Sequence, residues 1–183
     1  MNFCKESFPL KVFLPIYIAI AVFSAHAVLA GSDAHVDPVS ELQDAALNYE
    51  AAARAHMNIA NNFLRSRQEE PSEEEPNQRR NRRTSNAGLE LQAAEQLMNA
   101  AANFDHASRV WNAAVQANPD KESRAFFRQS SREARQRATS LIRRAAALAE
   151  HAALEYAAVN DLQNQGRASH RAGRIREQLA GRN

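Results

Sequence analysis

The sequence predicts an all-α protein, an antiparallel bundle of three long alanine-rich helices, on the strength of two observations. The stretch from Lys121 to Gln165 contains neither Gly nor Pro over 45 residues, so it is one uninterrupted helix or two abutting ones. Small and large apolar residues also recur at steps of three and four there and in two earlier stretches, which is the spacing of a single helix face.

The first thirty residues have the three parts of an export signal. Lys5 and Lys11 give a weakly basic start, an apolar run extends from Val12 to Ala25, and Val28-Leu29-Ala30 has the residues that a signal peptidase reads. We predict cleavage after Ala30, which leaves 31–183 as one helical domain, secreted or periplasmic. A membrane anchor is the alternative, but the apolar run has only 14 residues, whereas a span needs about 20.

The only cysteine, Cys4, precedes the apolar run and would be removed with the signal. The mature chain then has no disulfide, no thiol nucleophile and no cysteine metal ligand. An exported chain of this kind is held together by packing alone, which favours a long helical bundle over a small disulfide-linked scaffold.

The first helix is predicted from Pro38 to about Arg65–Gln68. Asp37 is suited to cap it, and Pro38 takes the first helical position, where its missing N–H costs nothing. Small and large residues alternate along its seam, so a neighbouring helix can approach closely. The small seam residues are Val39, Ala46, Ala53 and Ala60, and the large ones are Leu42, Tyr49, His56 and Phe63.

Residues 68–87 are predicted to be a disordered, charged linker. The segment from Glu69 to Pro76 is acidic and interrupted by prolines, and Gln78 to Arg83 is basic. Neither segment has an apolar residue to bury. Exposed arginines in a disordered segment predict cleavage by trypsin-like proteases, and Arg80–Arg83 also resembles a dibasic processing site.

A second helix is predicted from Leu89 to Ala117, followed by a break at Asn118-Pro119-Asp120. Because the break is short, helices two and three are expected to be antiparallel neighbours. Its seam again alternates small and large residues: Ala94, Leu97, Ala101, Phe104, Ser108, Trp111 and Val115. Leu97, Phe104 and Trp111 are expected to pack against the small seam residues of the first helix.

Residues around this break resemble a tetratricopeptide repeat. Phe104-Asp105-His106-Ala107, Trp111, Ala114 and Asn118-Pro119-Asp120 resemble the second helix and closing proline of that repeat, over residues 104–120. The chain departs from the family at Glu95, where the repeat has a small glycine. The resemblance implies a peptide-binding scaffold without catalysis; a plain bundle with alanine-rich seams is the alternative.

The long stretch from Lys121 to Gln165 has an apolar stripe on one face and arginines on the other. The stripe comprises Phe127, Ala134, Ala138, Leu141, Ala145, Leu148, Ala152, Val159 and Leu162. The opposite face is predicted to meet water or an acidic partner through Arg124, Arg128, Arg132, Arg135 and Arg143. Gly166 is expected to end the helix, leaving residues 166–183 as a frayed basic tail; a short fourth helix over 169–180 is the alternative.

Charge is divided along the mature chain. Residues 31–78 carry 3 basic and 10 acidic side chains, whereas residues 121–183 carry 13 and 6. One interpretation is that the acidic first helix packs beside the basic last one, with neutralisation inside the molecule. The other is a basic C-terminal surface for nucleic acid or anionic lipid.

No catalytic residue, metal site or cofactor is predicted. The chain has no phosphate-binding loop, nucleophile elbow or zinc-protease motif. His56 is expected to pack on its seam, and His151 with Glu155 supplies two metal ligands where a site needs three or four. The first hypothesis is an exported, non-enzymatic protein that interacts with a protein partner, as a scaffold or as a holdase-like binder. The alternatives are a secreted effector acting in a host cell, a polyanion-binding protein, and an enzyme built around His151 and Glu155.

Overall fold

A computed structural model of the chain describes residues 37–71, 73 and 75–182. The predicted signal peptide, its cleavage site and residues 31–36 lie outside the described residues. The described chain is all-helical, as predicted, with α1 at Pro38–Arg65, α2 at Pro76–Ala117, α3 at Lys121–Ala158 and α4 at Leu162–Ala180. None of these helices is long and apolar enough to cross a membrane.

The long helices α2 and α3 form a central antiparallel hairpin, with α1 packed on α2 and α4 packed on α3. Side-chain pairs define the directions. Arg67 meets Glu90 while Glu50 meets Trp111, so α1 and α2 are antiparallel. Arg171 of α4 meets Glu95 of α2, and Arg182, just after α4, meets Asp105 further along α2, so those two helices are parallel.

Helices α1 and α4 lie on different sides of this hairpin. Asn61 of α1 bonds to Arg144 of α3, whereas Arg176 of α4 bonds to Glu150 of α3. Arg144 and Glu150 are six residues apart, and this places them about 120° apart around a helix with 3.6 residues per turn. The hairpin therefore supports one helix on each side.

The core is a set of closely packed alanines with a few large side chains. The α2 seam is buried throughout, as predicted, and the small positions Ala46, Ala53 and Ala60 of α1 are fully buried. Trp111 stacks on Phe127 of α3 with ring centroids 5.6 Å apart. Tyr49 differs from the prediction, because its side chain is 38% exposed and stacks on His106 at the edge of the seam.

The prediction of a disordered linker over 68–87 was wrong for its second half, because α2 begins at Pro76. The added turns extend beside the end of α3, where Arg83 pairs with Glu155 at 3.7 Å. Arg82 is largely buried and pairs with Glu70 at 3.3 Å. One ion pair with α3 and another with the α1–α2 connection thus hold a segment that has no apolar residue of its own, and arginine is in any case a good helix former.

Limited proteolysis tests whether α2 begins at Pro76. We expect a glutamate-specific protease to cut first within 69–75, while trypsin cuts after Arg65 or Arg67 before it cuts within 79–83. Helical residues are poor protease substrates because an extended backbone is needed for cleavage. Early tryptic cuts at Arg82 or Arg83, identified by mass spectrometry, would contradict a helix that starts at Pro76.

The stretch from Lys121 to Gln165 forms two abutting helices. They meet at Val159–Asp161, where Asn160 has a φ of 56°, a left-handed conformation that asparagine tolerates well. Asp161 then accepts a hydrogen bond from the backbone N–H of Asn164, and bonds from Asn164 hold the pKa of the Asp161 carboxyl below its ordinary value. Leu162, predicted to belong to the apolar stripe, is instead 70% exposed because it begins the new helix.

The prediction of a frayed tail over 166–183 was also wrong, since α4 contains both Gly166 and Gly173. Packing explains the difference. Ala168, Ala172 and Ile175 share one face of α4 and are buried. Tertiary burial of an amphipathic face outweighs the weak helix propensity of two glycines.

Replacing these glycines with alanine provides a direct test of α4. A Cβ at Gly166 or Gly173 would meet no atom within 4 Å, and neither residue needs a positive φ. Each substitution is therefore expected to stabilise the fold by about 0.5–1 kcal/mol. Gly181→Ala, just past the helix end, is the control and should change the melting temperature less. A tail that is not helical would show no gain from either replacement within α4.

Candidate functional site

A single stripe of positions runs along the side of α3 that faces α4, from Arg124 to Ala153, at steps of three and four residues. Its C-terminal half includes Ile142, Ala146 and Glu150. α4 covers this half: Ile142 and Ala146 are buried, and Nε of Arg176 bonds to Oε1 of Glu150 at 2.6 Å. The N-terminal half of the same stripe consists of exposed or half-exposed arginines: Arg124, Arg128, Arg132 and Arg135.

A matching stripe runs along α2. Its Glu95 pairs with Arg171 of α4, and its Asp105 pairs with Arg182. Because Arg182 follows the end of α4, that helix covers the hairpin only as far as the level of Asp105. The next α2 positions on the stripe carry no acidic group: Arg109, Asn112 and Gln116.

We define the basic groove as the part of the α2–α3 surface beyond α4, bordered by Arg109, Arg124, Arg128, Arg132 and Arg135. Among the described residues, no side chain of these five arginines forms an ion pair or a hydrogen bond. Acidic residues of α3 lie elsewhere; Glu133, for example, pairs with Arg137 on the side towards α1. The groove therefore has a cluster of positive charges without internal neutralisation.

The floor of the basic groove is made of small side chains. Oγ atoms of Ser108 and Ser131 lie 2.9 Å apart, and the Ser131 hydroxyl also lies within hydrogen-bonding distance of the Ser108 carbonyl oxygen. Both serines are buried, so α2 and α3 are in close contact beneath the arginines. The surface is consequently shallow and suits contact with another macromolecule better than enclosure of a small molecule.

The five predicted site arginines are only partly brought together. Arg132, Arg135 and Arg143 line one shallow depression of about 410 Å³, with Gln136, Thr139 and Ser140 between them. Arg124 and Arg128 lie further along the same stripe, towards the start of α3. Arg109 was missed by sequence reasoning. Its position four residues after Asp105 was visible, but the pairing of Asp105 with α4 was not.

Internal neutralisation of this surface by the acidic first segment is not what the described residues show. Glu50 pairs with Arg54 and Arg137, and Glu70 pairs with Arg82. Arg171, Arg176 and Arg182 pair with acidic residues of α2 and α3 instead. The first helix thus pairs with one arginine of the last segment, Arg137, whereas the arginines of the basic groove have no acidic partner among the described residues.

A second polar cluster closes the other end of the hairpin. Glu90 is 1% exposed, with one carboxylate oxygen 2.6 Å from Nη1 of Arg67 and the other 2.7 Å from Nδ1 of His151. These residues line a depression of about 470 Å³. Both oxygens have partners, and no side-chain polar atom that is buried in the described chain lacks one, so the cluster needs no ligand to complete it.

His151 and Glu155, which have metal-compatible spacing in the sequence, are directed to different partners. His151 bonds to Glu90, and Glu155 pairs with Arg83. Within the described chain no group of three or more His, Cys, Asp or Glu side chains is placed to hold a metal ion. His56 is packed and hydrogen-bonded, as predicted, through a 2.8 Å contact between its Nδ1 and Oε1 of Gln96.

No protein-family model, curated protein or solved structure matches this chain. The tetratricopeptide-like segment stays a resemblance. Its aromatic residues Phe104 and Trp111 are buried in α2, and Asn118–Asp120 forms the connection to α3. The basic groove is therefore the feature of this fold that points to a function.

Proposed function

We propose that this chain is an exported, non-enzymatic helical interaction protein that binds an acidic protein partner through the basic groove. One observation carries the proposal. Along the same two helices, every charged stripe position covered by α4 has an oppositely charged partner, whereas the arginines beyond α4 have none among the described residues. An acidic partner would supply carboxylates to these arginines.

Arginine is well suited to this role. Its planar guanidinium binds carboxylates through two parallel hydrogen bonds, and it keeps its charge at any physiological pH. Each exposed pair contributes only about 0–1 kcal/mol, so the complex is expected to depend on several arginines together. Binding through such pairs should weaken strongly as salt concentration rises.

An acidic protein fits the groove better than nucleic acid does. Proteins that hold single strands combine positive charge with aromatic side chains on which bases stack. The stripe positions around the groove carry no aromatic residue; Phe126, which is 57% exposed, lies on the side of α3 towards α1. Binding to nucleic acid or to anionic lipid is therefore an outcome that the test must be able to reveal.

Fluorescence anisotropy with a labelled glutamate-rich peptide tests the proposal. Replacing Arg124, Arg128, Arg132 and Arg135 with alanine should weaken binding at least tenfold and leave the melting temperature nearly unchanged. The matched control replaces four exposed arginines outside the groove: Arg65, Arg80, Arg167 and Arg174. That variant has the same net charge as the groove variant, and its affinity for the peptide should fall less than twofold.

Two results would overturn the proposal. Equal losses in the two quadruple variants would mean that net charge, not the groove, determines binding. The second result is that the protein binds a single-stranded oligonucleotide or phosphatidylserine vesicles more tightly than the peptide, and that the groove variant abolishes this binding. The partner would then be a polyanion or a membrane surface and not a protein.

A further inference from the structure

Helix α4 shows what kind of segment fits the groove between α2 and α3. It buries Ala168, Ala172 and Ile175, which are spaced i, i+4 and i+7. Charged side chains on either side of this seam then pair with the two walls, Arg171 with Glu95 of α2 and Arg176 with Glu150 of α3. The occupant of this half of the groove is thus a helix with a small apolar seam and charged flanks.

The other half is built from the same helix pair with the opposite charge. Helices α2 and α3 remain in contact there through the Ser108–Ser131 bond and through the stacking of Trp111 on Phe127. On α3, arginines take the stripe positions that Ile142, Ala146 and Glu150 take beneath α4. Their methylene stems offer apolar contact, and their guanidinium groups supply the charge. We infer that the basic groove receives an amphipathic helix of a partner protein, laid in line with α4, with small apolar residues on its seam and Glu or Asp on its flanks.

This inference rests on the proposed function and adds the form of the partner. A helix fits better than an extended peptide, because all walls of the groove are helices whose backbone groups bond internally. An extended peptide would gain no main-chain hydrogen bonds from them, whereas a helix satisfies its own and uses its side chains for packing. The free length of α2 beyond Asp105 extends to Ala117, 12 residues, or about 18 Å. A partner helix of about three turns fits this length.

The chain's own acidic segment is a poorer occupant. The connection between α1 and α2 follows Arg65, at the end of the hairpin opposite to the basic groove, and its Glu70 is already engaged by Arg82. A second copy of the chain would have to supply a helix whose exposed face is acidic and apolar. Self-association is therefore measured as a competing outcome.

Two peptides of identical composition distinguish a helical occupant from any acidic one. In the first, Ala and Leu occupy a seam spaced i, i+4 and i+7 and Glu occupies the flanks; in the second, the order is scrambled so that no seam exists. We expect the first to bind at least tenfold more tightly and to become helical on binding, seen by the NMR shifts of a labelled peptide. Equal affinities for the two peptides would contradict a helical occupant but not an acidic protein partner. If neither peptide bound, both the helical occupant and the proposed function would be contradicted.

A matched pair of variants adds a steric test that leaves every arginine in place. Asn112→Phe puts a bulky ring in the groove on the α2 wall, while Ala113→Phe puts the same ring one position round the helix, away from the groove. Asn112→Phe should weaken binding of the seam peptide at least tenfold and binding of the scrambled peptide less than twofold. Ala113→Phe should change the affinity for neither peptide. A partner helix in this groove would be contradicted if Ala113→Phe abolished binding of both peptides. It would also be contradicted if sedimentation velocity showed that the chain associates with itself and that the seam peptide does not prevent this association.

Discussion

Trp111→Ala should destabilise the protein by about 3–5 kcal/mol, the usual cost of removing a buried aromatic side chain. Trp111 is 2% exposed, at the point where α1, α2 and α3 meet. Its ring stacks on Phe127, and its Nε1 donates to Oε1 of Glu50 at 3.1 Å. The substitution would leave a cavity in the hairpin and remove one bond from a buried carboxylate.

Denaturant unfolding of two further variants separates these contributions. Trp111→Phe keeps one aromatic ring and removes the bond to Glu50 together with the smaller ring of the indole, so a smaller loss of about 1–2 kcal/mol is expected. Phe126→Ala is the control, because this neighbouring ring contacts Trp111 edge-on but is 57% exposed. It should cost clearly less than Trp111→Ala. A native fluorescence spectrum typical of an exposed tryptophan, with unchanged stability in Trp111→Ala, would contradict the packing described here.

Glu90→Lys should have an effect of similar size, about 3–5 kcal/mol, since it places an unpaired positive charge at a fully buried position. The new ammonium group would face Arg67 and His151, which now bind the two carboxylate oxygens. The cluster joins α2, α3 and the residues just after α1, so the loss should appear in the global unfolding transition. Circular dichroism in urea measures it.

A charge exchange and a conservative variant serve as controls. Glu90→Gln keeps the shape and should cost about 1 kcal/mol, because Arg67 and His151 are half-exposed and can turn to water. Combining Glu90→Lys with Arg67→Glu should recover part of the loss, as expected for residues in direct contact. Strict additivity of the two changes would show that Glu90 and Arg67 do not interact.

Local periodicity was sufficient to predict most of the helices. Asp37 and Pro38 mark the start of α1, and the seam from Ala94 to Val115 is buried as its spacing predicts. Periodicity failed where a helix is stabilised by contacts with other parts of the chain. Arg82 and Arg83 lack apolar neighbours in sequence, yet pairing with Glu70 and Glu155 keeps them helical.

The candidate site was predictable only in part, for a related reason. The positions of Arg124, Arg128, Arg132 and Arg135 on one face follow from their spacing. That α4 would cover the C-terminal half of this face could not be foreseen, because Gly166 and Gly173 suggested a frayed tail instead of a packed helix. Without α4 in place, neither the boundary of the groove nor the contribution of Arg109 could be recognised.

Chemical-shift mapping tests the central claim, that the basic groove is the binding surface, most directly. A uniformly ¹⁵N-labelled protein is titrated with the acidic seam peptide at low and at high salt. We expect the largest amide shifts over residues 106–117 and 121–139, lost at high salt, with little change in α1 or in the Glu90 cluster. Shifts centred on α1, on residues 66–83 or on the surface covered by α4 would contradict it.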